Sequence, residues 1–204
     1  LNYTNHDIDR VILTDIDGVV LNWEYAFITW MSARGFNLPQ NREQSYYMHI
    51  LYRDQLSKAE VKSMIRTFNE SAAIGFLPPL RDAMYYMKKL HEEHGFIFHA
   101  ITSLSNDQSA QKLRIQNLEK LFGTTLFDTH VFLDTGEDKD EVLKKYADTG
   151  LTWIEDKVEN AIVGKDLGLN AMIMEHGHNM NHDLPILEDI PLVKNWKEIY
   201  EVMT

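Results

Sequence analysis

The chain has 204 residues, 44% of them hydrophobic and 25% charged, with a formal net charge of −11; that is enough apolar material for one good core and a small appended unit. The acidic balance and the lack of a Lys/Arg stripe exclude a nucleic-acid polymer as the expected partner, and the absence of cysteine excludes disulfides, thiolate catalysis and thiolate metal sites. No uncharged run approaches a membrane span and no basic-then-apolar leader pattern opens the sequence, so the expectation is a cytoplasmic protein that does not associate with membranes.

Short apolar, β-rich runs occur at Val11–Thr14, Phe96–Ile101, His130–Leu133, Leu151–Ile154 and Ala171–Met174, and from the second onward they alternate with helical patterns. That alternation predicts an α/β architecture, a Rossmann-like three-layer parallel sheet. Between the first two runs lies a segment too long for a plain crossover helix. Within it "WEYAFITWMSARGF" and "LSKAEVKSMIRTFNES" read as amphipathic helices, the second starting from a Ser57 N-cap with Glu60 three residues on. The segment is read as a helical cap inserted after the first strand, which divides the chain into a core of residues 1–21 and 78–204 and a cap of residues 22–77. The prolines of "FLPPLRD" stop the cap, and a helix from about Arg81 ends at Gly95.

The first run ends in "TDIDGVV". Asp15 and Asp17 fall where the strand gives way to a turn that Gly18 permits, and in open parallel sheets ligands bind beyond the carboxyl ends of the strands. Two carboxylates this close repel unless one holds a proton or a cation sits between them; a divalent cation is the simplest resolution, and a pair of solvated turn aspartates is the alternative. Three later stretches add to the pattern. "FHAITSLS" ends a strand in Thr102 and Ser103, hydroxyls that can donate to a phosphoryl oxygen without adding charge. "DKDEVLKKY" starts a helix at Lys139, and "LTWIEDKVENA" ends a strand in Glu155 and Asp156, with Asn160 beyond. Each of these is commonplace alone; their shared placement at strand ends points to a site.

In this order the motifs resemble those of the haloacid dehalogenase-like hydrolases: an apolar strand ending in DxDG, a strand-end Thr or Ser, a Lys, and a final acidic pair followed by Asp or Asn. The segment 22–77 falls where that family's C1 cap falls. "TSLS" and the closing "GHNMNHD" and "VKNWKEIYEVM" are similar to the 5'(3')-deoxyribonucleotidase-like branch.

The resemblance implies a Mg²⁺-dependent phosphomonoester hydrolase with a small phosphorylated metabolite as its partner. Asp15 would be the nucleophile that forms an aspartyl-phosphate, and Asp17 the acid and base of the two half-reactions. Thr102, Ser103 and Lys139 would bind phosphate. Asp15, Asp17 through its backbone carbonyl, and Asp156 would hold Mg²⁺. Glu155 stands where many members have Gly or Asp, so either Glu155 or Asp156 could be the direct ligand; Asp156 is preferred, with Glu155 and Asn160 behind it. Nucleoside monophosphates are one candidate substrate class and sugar phosphates another; a non-catalytic binding module of the same fold is the alternative to an enzyme. A receiver domain is disfavoured because Lys139 precedes the final acids.

Further features are read more plainly. Trp23, Tyr25, Phe27 and Trp30, with Tyr46 and Tyr47, are taken as the core of a small cap, stacking on a nucleobase being the functional alternative. His176, His178 and His182 are taken as a surface cluster in a Gly/Asn-rich loop rather than a zinc site, and Lys157 is expected to point outward.

Overall fold

The computed structural model describes residues 10–180 and 189–204. Six strands form one parallel sheet: β1 (Val11–Thr14), β2 (Ile97–Ser103), β3 (Phe127–Leu133), β4 (Thr152–Glu155), β5 (Asn170–Met174) and β6 (Leu192–Val193). Their order is β3-β2-β1-β4-β5-β6. The order reverses at β1, so the crevice beyond its carboxyl end is the switch point at which such sheets bind ligands.

All four residues of β1 are buried, as expected of a strand covered on both faces. Alternate residues feed two separate cores. Ile12, Phe98, Ala100, Ile154 and Met172 face one side, where they meet α4 (Ala83–His94), α5 (Gln108–Phe122) and α8 (Trp196–Met203). Val11, Leu13, Ile101, Trp153 and Ile173 face the other, against α6 (Asp140–Leu143) and α7 (Val158–Asp166). This gives the three-layer α/β arrangement expected from the alternating pattern.

Between β1 and β2 the chain is helical, with α1 (Trp23–Ser32), α2 (Met48–Leu51), α3 (Lys58–Asn69), a 3-10 turn at Ala72–Phe76, and α4. Ser57 and Glu60 form the expected capping box at the start of α3. The helix expected from Arg81 begins instead at Ala83: Arg81 has a φ of +44°, outside the helical region, and the Asp82 carboxylate accepts from the backbone N–H groups of Trp196 and Lys197 at 3.0 and 3.1 Å rather than capping its own helix. Gly95 ends α4 in the left-handed conformation. The second strand runs on to Ser103, so Thr102 and Ser103 are its last residues, and β3 begins at Phe127 rather than His130. The two-residue β6 was too short to leave a sequence signature. No helix of the described residues is long and apolar enough to cross a membrane.

Candidate active site

Asp15 immediately follows β1, its N–H donating to Ile154 O at 2.9 Å so that the first and fourth strands hold it jointly. Its Oδ1 accepts from Ile16 N–H at 2.7 Å. The chain then turns sharply: Val20 and Leu21 N–H both return to Ile16 O at 2.9 Å. Gly18, at a φ of +82°, is required twice over, because a Cβ there would lie in the left-handed region and only 2.3 Å from Asp156 Oδ2.

Residues remote in sequence meet at this turn. A cavity of about 680 Å³ is lined by Asp15, Asp17, Thr102, Lys139, Asp156 and Asn160 among others. Lys139 is buried, with its Nζ 2.9 Å from Asp15 Oδ1 and 2.7 Å from Glu155 Oε2. Burial works against its charge, but the two carboxylates outweigh that and raise its pKa above the ordinary value. Burial, reinforced by the Glu155 carboxylate and opposed by Lys139, lifts Asp15 from 3.8 to about 7. Glu155, fully buried, is also raised, chiefly by desolvation.

The acids are arranged for a hard cation. Asp15, Glu155 and Asp156 bring carboxylate oxygens within 4.8 Å of one another, and an all-oxygen donor set suits Mg²⁺. The Glu155 oxygens are already committed: Oε2 to Lys139, and Oε1 to the N–H groups of Asp156 at 3.2 Å and Lys157 at 3.1 Å. Asn160 Nδ2 reaches Oε2 at 3.4 Å. Asp156 Oδ1, by contrast, is buried with no hydrogen-bond partner among the described residues. An orphaned buried carboxylate oxygen is costly unless a cation meets it, so the residues present fit a metal held by Asp15 and Asp156 with Glu155 and Asn160 behind them.

Thr102 Oγ1 is likewise buried and unpartnered among the described residues, whereas Ser103 donates to Glu137 O at 2.8 Å and ties the end of β2 to the following loop.

Sequence reasoning missed Arg114. It is fully buried on α5, with Nη1 2.9 Å from Asp17 Oδ1 and Nη2 3.2 Å from Oδ2. Asp17 is nonetheless raised above its ordinary value, first by burial and then by Asp15, against the lowering effect of Arg114. A signal existed: Ala110, Arg114, Asn117 and Leu118 lie on one helical stripe and all are buried.

Two expectations are corrected. His176 and His178 are not a surface cluster: their rings stack at 5.3 Å, His176 Nε2 lies 2.6 Å from Gly18 O, and His178 Nε2 lies 3.5 Å from Asp156 Oδ2. Asn179 anchors this loop beneath them, donating to Asp156 O and Met174 O at 2.9 and 2.8 Å. His182 lies outside the described residues. Lys157 does not point away from the site; it lines the cavity with its ammonium 6.0 Å from the Tyr46 ring centroid. The aromatics divide. Trp23, Phe27 and Trp30 form a stacked and edge-on cluster with Phe68 and Tyr25 is exposed, while Tyr46 and Tyr47, together with Trp23, line the cavity. Desolvation, then the carboxylates led by Asp156, push the Tyr46 phenol up, so it stays a neutral donor.

The chain has the same fold as solved haloacid dehalogenase-like hydrolases. A haloacid dehalogenase-like hydrolase from Streptococcus pneumoniae superposes with a TM-score of 0.65 at 14% identity, covering 97% of this chain and 99% of that one. The magnesium-bound HAD-hydrolase YfnB of Bacillus subtilis, described as putative, gives 0.60 at 16%, covering 95% and 98%. CbbY of Rhodobacter sphaeroides, solved with phosphate, gives 0.57 at 16%, covering 93% and 96%. By sequence the chain is similar to an uncharacterized 32.4 kDa protein of Enterobacteria phage T4, 32% identical over 147 residues; the match covers 66% of this chain and 48% of the phage protein, so it spans about half that protein's length. No protein-family model matches the chain.

Proposed function

We propose that the protein is a Mg²⁺-dependent phosphomonoesterase working through an aspartyl-phosphate on Asp15. The observation that carries the reading is the meeting of Asp15, Asp17, Thr102, Lys139 and Asp156 on one cavity. Asp15 Oδ attacks phosphorus and the ester P–O bond breaks; the departing alkoxide takes a proton from Asp17. Asp17, now ionised, removes a proton from water as the water oxygen attacks phosphorus, releasing phosphate and restoring both carboxyl groups. The raised pKa of Asp17 suits a group that must hold a proton in one step and lack it in the next. Thr102 Oγ1 and Lys139 Nζ donate to the phosphoryl oxygens, and Lys139 favours the ionised, nucleophilic form of Asp15 against the burial that raises its pKa. Asp15, the Asp17 carbonyl and Asp156 would hold Mg²⁺, which supplies charge neutralisation and orientation of the phosphoryl group.

In this reading residues 22–77 cover the site as a cap, and Tyr46 and Tyr47 flank the leaving group. Nucleoside monophosphates fit such a pair of rings; sugar phosphates are the competing class. Hydrolysis of a carbon–halogen bond is the second reading, because a structural neighbour is a dehalogenase solved with an intermediate complex. Asp17 argues against it: a halide leaves without needing a proton, so the acid half of that carboxyl's work, for which its raised pKa suits it, would be idle.

The test is phosphate release from 4-nitrophenyl phosphate with Mg²⁺ and with chelator, beside halide release from a 2-haloacid. Metal-dependent phosphate release that disappears in Asp15→Asn supports the proposal; halide release without phosphate release overturns it.

A further inference from the structure

The helix α3 lays one whole face along the cavity. Lys58, Lys62, Ile65 and Asn69 all line it, and their spacing of three or four residues puts them on a single stripe, with Val61 buried beside them. The inner end of the stripe is fixed beside the catalytic centre: Asn69 Nδ2 donates to Leu104 O at 3.0 Å, and Leu104 directly follows Thr102 and Ser103. From Asn69, Lys62 lies about 10 Å and Lys58 about 16 Å along the helix axis. The stripe thus runs from a polar anchor at the reacting end, past the Ile65 side chain, to two ammonium groups at the far end.

Neither ammonium forms an ion pair with a carboxylate of the described residues. That sets them apart from their neighbours: Arg66 on the same helix pairs with Glu70 and Asp134, and Arg42 and Arg53 pair with Glu24 and Glu43. Both side chains are exposed on the helix face that lines the cavity, two cations one turn apart in a chain with a net charge of −11. Their mutual repulsion is relieved by an anion between them.

We propose that Lys58 and Lys62 form a subsite for a second anionic group of the substrate. The substrate is then a small molecule with a phosphomonoester at one end and a second phosphate or a carboxylate about 10 Å or more away, its middle lying against Ile65 and the Tyr46 ring. The identity of the near group rests on the phosphomonoesterase reading; the distal subsite does not.

Two measurements separate these claims. In the first, hexane-1,6-diol bisphosphate, its monophosphate and 6-phosphohexanoate are titrated calorimetrically into Asp15→Asn protein, with and without Lys58→Gln and Lys62→Gln. The dianionic-ended ligands should bind at least about tenfold more tightly than the monophosphate, the effect of one charge-assisted contact, and the double substitution should erase the difference. Comparing bisphosphate with phosphohexanoate distinguishes a distal phosphate from a distal carboxylate. In the second, kcat/KM is measured for the same compounds on active protein, where the ratio of bisphosphate to monophosphate should fall towards one in the Lys58→Gln, Lys62→Gln protein, mainly through KM. Equal binding of all three ligands, or a preference that survives the double substitution, overturns the subsite. Tighter binding of the dianionic ligands without turnover of any ester keeps the subsite and removes the phosphomonoesterase reading.

Discussion

Replacing Arg114 by Met tests how the Asp17 carboxyl is held. The guanidinium is fully buried and spans both Asp17 oxygens, at 2.9 and 3.2 Å. Removing one member of a buried ion pair costs about 3–5 kcal/mol; because the Asp17 side chain is 21% exposed and partly rehydrated, we expect a loss of about 2–4 kcal/mol. The loss should depend on pH. Burial already raises Asp17, and Arg114 is its largest lowering influence, so the variant's folded state binds the Asp17 proton more tightly than the wild type's does. A group raised in the folded state contributes stability below its unfolded value and forfeits it as pH climbs through the folded value. The deficit must therefore widen from pH 5 to pH 8, by about 1.4 kcal/mol for each unit of extra shift. Urea unfolding at both pH values, without added metal, measures it. Arg114→Met combined with Asp17→Asn removes the stranded charge and should recover most of the pH-dependent part. A deficit equal at both pH values, or a double variant no better than the single, would refute the reasoning.

Other expectations follow from the same geometry. Gly18→Ala places a Cβ 2.3 Å from Asp156 Oδ2 on a residue with a φ of +82°; it should cost about 1–3 kcal/mol of stability and raise the Mg²⁺ concentration needed for half-maximal turnover, read by metal titration. Asp15, lifted to about 7, should make the metal-free protein lose stability as pH rises from about 4 to 7. Mg²⁺ selects the ionised carboxylate, so its effect on the thermal midpoint should be larger at pH 8 than at pH 5.5, and an equal effect would contradict a metal at Asp15.

The framework of the site was legible because strand-end motifs combine a strong local signal with a fixed place in the topology. Asp15, Asp17 and Gly18 follow an apolar run that could only be a buried strand, and the parallel sheet then brings the ends of β2 and β4, with Thr102 and Asp156, to the same edge. Arg114 was hidden because an arginine in a charged helix ordinarily faces water; only its phase with Ala110 and Leu118 marks it. His176 and His178 were misread for a different reason. Their loop lacks periodicity, and it is drawn over Asp156 by contacts no local pattern encodes: Asn179 below it, and the Gln44 side chain against Gly177, where a Cβ would meet Oε1 at 2.7 Å. Lys157 follows the acids in what reads as a solvated loop, yet Tyr46, more than a hundred residues away in sequence, supplies the surface along which it lies.

The central claim is a covalent phosphoryl group on Asp15, and chemical trapping tests it most directly. Wild-type protein turning over 4-nitrophenyl phosphate with Mg²⁺ is quenched and reduced with borohydride, which converts an acyl phosphate to an alcohol, and its peptides are analysed by mass spectrometry. The account predicts homoserine at Asp15 and at no other carboxylate, dependent on substrate and metal. Phosphate release at full rate with Asp15 unmodified, or with the label on Asp17 or Asp156, would contradict it.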